Sequence, residues 1–160
     1  MNNLKFAFNY GLAVAIVGII GLYLQNMVEP GSVYASIISI LVILLMVFII
    51  YSGIINYFSQ TGKKIQLSDS IKISLIISLI GGLIYGIFSY IYYEFISPST
   101  KEKLVKYALE QSKLSGEELE KAKEFMENFY GYSTFAGAIV TVAFIGLITG
   151  IIIGLWKKEE

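Results

Sequence analysis

Four long runs of apolar residues constrain the fold of this chain more than any other feature. They cover approximately residues 6–26, 33–58, 70–96 and 132–156 of the 160. Each is as long as the about 20 residues that a helix needs to cross a hydrocarbon layer of about 30 Å. Lipid cannot satisfy open backbone groups, so helices are favoured over other structures. We therefore predict an all-α integral membrane protein in which residues 1–160 form a single membrane domain.

The first run has a competing interpretation as a secretory signal peptide, because Lys5 precedes an apolar stretch. The gap from Leu24 to Ala35 is long for a cleavage region, and the next apolar run begins at once. We therefore expect the first run to be retained as a membrane span.

A charged segment at residues 99–130 separates the third and fourth runs. Ser99 with Glu102, and Ser115 with Glu118, have the spacing of helix-capping boxes. They predict two helices, at about 100–113 and 116–130. The first is rich in Lys and the second in Glu, which favours their antiparallel pairing as a helical hairpin before the last span.

Lysines outside this hairpin fall at one end of a four-span bundle. The short loop at residues 27–32, at the opposite end, has none. The positive-inside rule then places both termini in the cytoplasm and the hairpin on the opposite side of the membrane. The lysines that support this orientation are Lys5, Lys63, Lys64, Lys72, Lys157 and Lys158.

Aromatic residues near the span ends predict two interfacial belts. The outer belt would comprise Tyr23, Tyr34, Tyr92, Tyr93, Tyr130 and Tyr132. The inner belt would comprise Tyr10, Tyr57 and Trp156.

Two spans carry small residues at every fourth position, a spacing that lets helix backbones approach closely in lipid. These faces could pack together inside one bundle, or they could form the seam of a homo-oligomer or a partner's docking face. The residues are Ser78, Gly82 and Gly86 in the third span, and Gly146, Gly150 and Gly154 in the fourth.

Glu94 is an acidic residue near the end of the third span, beside Tyr92 and Tyr93. An acid inside a membrane can be a proton or cation site. Its position near the span end instead favours the outer interface, where it would be hydrated or paired with Lys101 or another hairpin lysine. The three residues form a candidate outer-interface site.

Composition excludes several kinds of chemistry. The chain has no Cys and no His, which rules out thiol chemistry, zinc sites built on thiolate or imidazole, and His-based acid–base catalysis. The net charge is zero, so no overall field attracts nucleic acid. The hairpin glutamates fit a solvated face better than a metal cage. We expect no catalytic residue, no cofactor and no bound metal.

The order of several short motifs resembles a bacterial family of small four-span inner-membrane proteins known as a domain of unknown function. They are the turn at residues 62–65 with residues 70–73, then residues 92–96, and then the insert with Tyr107, Ser115, Gly116, Glu120, Lys123, Met126 and Phe129. The resemblance implies the same topology, with no known catalytic residues.

These features favour a non-enzymatic membrane protein whose hairpin binds an envelope partner, as an accessory subunit. The alternative is a small oligomeric transporter or channel that uses Glu94 and the nearby tyrosines. An enzyme acting on lipid-linked sugars would have Glu94 as its best candidate residue.

Overall fold

The computed structural model describes residues 3–156, and every regular element in that part of the chain is helical. The helices are α1 (Asn3–Asn26), α2 (Val33–Thr61), α3 (Leu67–Ile91), α4 (Pro98–Gln111) and α5 (Glu117–Trp156), and a π-helical turn (Tyr92–Ile96) extends α3. Four of them, α1, α2, α3 with its π turn, and α5, are long and apolar enough to cross a membrane. The predicted all-α class with four candidate membrane-spanning helices is confirmed for the described residues.

The helix α3 lies at the centre of the bundle. It packs most extensively against α5 and next against α1, whereas α2 packs mainly on α1. The buried core side chains of α2 begin at Met46 and continue to Phe58. The first half of α2 therefore lies at the edge of the bundle, with its apolar side chains facing outward.

The helices α3 and α5 run antiparallel and approach closely along their whole contact. A Cβ atom on Gly154 would lie 2.7 Å from the Cα of Leu67, at the start of α3. Further along, a Cβ atom on Gly86 would lie 2.9 Å from the carbonyl oxygen of Phe135. The small residues leave room for the opposite backbone, which maximises packing where lipid gives no hydrophobic drive between helices.

The predicted break between the hairpin and the last span is wrong. One helix of 40 residues, α5, contains both the charged segment and the apolar run. At 1.5 Å per residue it is about 60 Å long, about twice the thickness of the hydrocarbon layer. The segment contains no proline, so the change from charged to apolar residues does not interrupt the backbone. The hairpin thus consists of α4 and the first part of α5.

The predicted cap of the first hairpin helix is also wrong. Helix α4 begins at Pro98, and its N-cap is Ser97 rather than Ser99. Proline is favoured at this first position because the missing N–H would have had no helical partner. The hydroxyls of Ser97 and Thr100 lie 2.7 Å apart in a hydrogen bond. Lys157 and Lys158, which supported the predicted orientation, lie outside the described residues.

The two predicted aromatic belts are only partly formed. Tyr34 and Tyr132 are exposed on the outside of the bundle, whereas Tyr57, Tyr92 and Tyr93 are buried inside it. These three residues are core aromatics, because neighbouring helices cover the faces that a belt would expose to lipid.

Candidate functional site

The π turn at Tyr92–Ile96 determines where Glu94 points. It is closed by a hydrogen bond from the backbone N–H of Ser97 to the carbonyl oxygen of Tyr92, with an N···O distance of 2.7 Å. This five-residue span is wider than an α-helical turn, and π turns are frequent at functional sites. The Glu94 carboxylate lies between the end of α3, the start of α4 and the middle of α5.

Glu94 and Lys101 form a partly buried ion pair that contacts the backbone of α5. The Lys101 ammonium lies 2.8 Å from Glu94 Oε2, and the two side chains are 16% and 23% exposed. The other carboxylate oxygen accepts a hydrogen bond from the N–H of Gly131 at 3.2 Å. Lys101 also donates to the carbonyl oxygen of Glu127 at 3.4 Å. In a regular α-helix, the N–H of Gly131 would bond to the carbonyl oxygen of Glu127. The ion pair therefore contacts both ends of one backbone hydrogen bond of α5.

The missing side chain of Gly131 leaves room for the Glu94 carboxylate against α5. A Cβ atom there would lie 2.6 Å from Glu94 Oε1 and 2.8 Å from Glu94 Cγ. Sequence reasoning missed Gly131 because it falls outside the four-residue stripes and has no polar side chain. Lys101 was one of the partners that it named for Glu94.

A cluster of aromatic side chains lies around Tyr93, close to the ion pair. Tyr93 packs edge-on against Tyr130 of α5 with ring centroids 5.1 Å apart, and its hydroxyl accepts a hydrogen bond from Asn26 at 3.5 Å. Leu104 of α4 packs on the same cluster. Tyr92 and Tyr93 are therefore buried where the hairpin meets the bundle, and the outer-interface site predicted with Glu94 stays a prediction.

The loop between α1 and α2 supplies a second anchor. Gly31 has a left-handed φ of 75°. The hydroxyl of Tyr107 lies where a Cβ atom on residue 31 would be. A side chain at residue 31 would displace the Tyr107 ring. Helix α4 is therefore held at its start by the ion pair and at its middle by this loop.

The two hairpin helices enclose an open groove of about 790 Å³. Its floor contains the apolar side chains of Val105, Leu109 and Leu119. Its rim carries four carboxylates and two ammonium groups, so it is negative overall. The rim residues are Glu102, Glu110, Glu120, Glu127, Lys106 and Lys123.

The predicted small-residue stripes face each other within one chain. Ser78 of α3 lies directly against Gly146 of α5, and Gly82 lies against the backbone of Ile139. Gly150 and Gly154 continue this contact towards the start of α3. The first of the two predicted arrangements is therefore the one that the structure contains, and these faces are covered by the partner helix.

Comparison with known proteins gives one family-level match. A family model described as Protein of unknown function (DUF4199) matches residues 5–159. No curated protein and no solved structure matches the chain.

Proposed function

The chain belongs to the DUF4199 family of proteins of unknown function, and we propose that it is a non-enzymatic protein of the bacterial inner membrane that presents its hairpin to a partner. The binding surface is the groove between α4 and α5. Its occupant is an amphipathic helix with basic residues on its flanks, contributed by another protein of the cell envelope. The protein is then an accessory subunit, with its activity residing in the partner.

The observation that carries this proposal is the attachment of a hairpin with an open groove to the bundle at two separate places. The ion pair of Glu94 and Lys101 hydrogen-bonds to the backbone of α5. Tyr107 of α4 packs against Gly31 in the α1–α2 loop. A surface fixed in this way binds with less loss of conformational entropy than a mobile one. The apolar floor matches the way in which grooves take up one face of a helix.

The charge of the rim indicates the chemistry of the partner. Carboxylates outnumber ammonium groups around the groove, so basic flanks on the incoming helix would meet complementary charge. Such complementarity speeds encounter and suppresses wrong partners more than it adds affinity. The Lys distribution of the loops supports placing this groove outside the cytoplasm.

Photo-crosslinking from the groove tests this proposal. A crosslinking amino acid at Leu109 should capture a defined envelope protein in native membranes, and the captured peptide should be an amphipathic, net basic segment. The matched control is Phe125, which is 63% exposed on the same hairpin and does not line the groove. Charge reversal by Glu102→Lys should reduce capture from Leu109. Capture of lipid alone, or the same products from Leu109 and Phe125, would contradict the proposal.

A second candidate function, a small oligomeric transporter or channel, is favoured by one cleft. It has a volume of about 260 Å³ between α1, α3 and α5, and its lining includes Gln25, Ser89 and Thr141. Gly137 borders it with open space on its α-carbon side. Glu94 is engaged by Lys101 and Gly131, so the polar neutral residues of the cleft would have to line the path.

The transporter function predicts a wet path and an oligomer. A cysteine at Thr141 should then react quickly with a charged thiol reagent, and native mass spectrometry should show a multimer. A monomer whose cysteine at this position reacts only with lipid-soluble reagents would exclude this function.

A further inference from the structure

We propose that a pocket between the start of α1 and the end of α2 binds the phosphate group of an anionic lipid. The pocket has a volume of about 600 Å³ and lies at the end of the bundle opposite the hairpin. Polar side chains from both helices surround it, and Phe6 and Ala13 supply apolar surface. Its polar lining residues are Lys5, Asn9, Tyr10, Asn56 and Gln60.

Three of these residues form a chain of hydrogen bonds. Gln60 Nε2 donates to Asn56 Oδ1 at 3.0 Å, and Asn56 Nδ2 donates to the hydroxyl oxygen of Tyr10 at 2.8 Å. These bonds use the amide oxygen of Asn56 and an acceptor site on Tyr10. The phenolic O–H and the second N–H of each amide remain as donors that a ligand in the pocket could use.

Lys5 and Asn9 add a charge and another amide one helical turn apart. Both side chains are exposed, and within the described residues neither forms a hydrogen bond or an ion pair with the protein. Both lie in the first two turns of the candidate membrane span of α1, where an exposed amide needs a polar partner if lipid displaces its water. An ammonium group surrounded by neutral donors is suited to a phosphate oxygen, because bonds to a charged acceptor are stronger than neutral ones.

The depth of the pocket points to a lipid rather than to free phosphate. Asn56 precedes the last residue of α2, Thr61, by five positions, which is about 7.5 Å along the helix axis. The polar interface on each side of the hydrocarbon layer has a thickness of about 5–7 Å. The donors therefore reach the level of lipid headgroups, and Ala13, one helical turn deeper than Asn9, is the apolar lining residue that the glycerol and upper chain atoms would meet.

Native mass spectrometry of the full chain with phosphatidylglycerol tests this site. Asn9→Leu should weaken the apparent Kd about tenfold, which is the effect of one lost hydrogen bond to a charged group, and Lys5→Met should weaken it at least as much. The control is Asn128→Leu, the same exchange at an exposed asparagine of the hairpin, which should bind as the unmodified chain does.

Two further ligands separate the possible sources of phosphate. Phosphatidylcholine, whose headgroup has no net charge, should bind more weakly and respond less to Lys5→Met. Displacement of the lipid by millimolar inorganic phosphate from the unmodified chain, but not from Asn9→Leu, would assign the site to free phosphate chemistry. Equal retention of phosphatidylglycerol by Asn9→Leu, Lys5→Met and Asn128→Leu would overturn the proposal.

Discussion

Replacing Lys101 by methionine should loosen the hairpin without unfolding the bundle. The change leaves the Glu94 carboxylate with its hydrogen bond from Gly131 but removes its counter-charge. Exposed ion pairs contribute about 0.2–1 kcal/mol, and loss of one partner from a fully buried pair costs about 3–5 kcal/mol. With side chains 16% and 23% exposed, this pair lies between these limits. We expect the local opening free energy of α4 to fall by about 2 kcal/mol.

Hydrogen–deuterium exchange of the α4 amides measures this free energy directly. A loss of about 2 kcal/mol should speed their exchange about 30-fold, while amides in the middle of α3 keep their protection. Lys106→Met is the matched control, because Lys106 pairs with Glu110 at 3.9 Å with both side chains more than half exposed. Lys106→Met should lower the opening free energy of α4 by less than about 0.5 kcal/mol.

Two results would refute this reasoning. One is equal exchange in Lys101→Met and Lys106→Met, which would mean that the buried pair adds nothing. The other is faster exchange throughout α3, which would mean that the pair holds the bundle rather than the hairpin. Glu94→Gln should also speed exchange, because the amide NH2 that replaces Oε2 cannot accept from the Lys101 ammonium, although the amide oxygen can still accept from Gly131.

Substitutions of glycine give two further predictions. Gly131→Ala should raise α4 exchange as much as Lys101→Met does, because its Cβ would collide with the Glu94 carboxylate; unchanged exchange would contradict the close approach. Gly150→Leu should lower the free energy of unfolding in detergent by about 1–3 kcal/mol or more, and the melting temperature with it. The reason is that backbone atoms of α3 lie 3.0 Å from where a Cβ atom on residue 150 would be. Gly137→Leu, which meets open space, should leave the melting temperature unchanged, and equal losses in the two variants would exclude a specific α3–α5 contact.

The spans could be predicted from sequence because their signal is local. A run of about 20 apolar residues indicates a membrane span by itself, without information on the rest of the chain. The continuity of α5 could not be read in the same way, since polarity changes near Gly131 but no residue there stops a helix. The change in composition indicates where the helix passes from water to lipid. It does not end the helix, which needs a helix-breaking residue such as proline.

The ion-pair site depends on contacts that are remote in sequence. Lys101 could be named as a partner of Glu94 because the two are seven residues apart and opposite in charge. The involvement of Gly131 could not be foreseen, because it follows from the π turn that aims Glu94 and from the docking of α4 against α5. The burial of Tyr93 has the same origin, since its neighbours come from α1 and α5.

The proposed function depends most on which side of the membrane the hairpin occupies, and cysteine labelling measures this directly. The chain has no native cysteine, so Lys63→Cys in the α2–α3 loop and Lys113→Cys in the hairpin loop can each be the sole thiol. Treating intact cells with a reagent that cannot cross the inner membrane should label the cysteine at residue 113 and spare the one at residue 63, and both should react after the membrane is opened. Labelling at residue 63 with protection at residue 113 would invert the topology and remove the groove from any envelope partner.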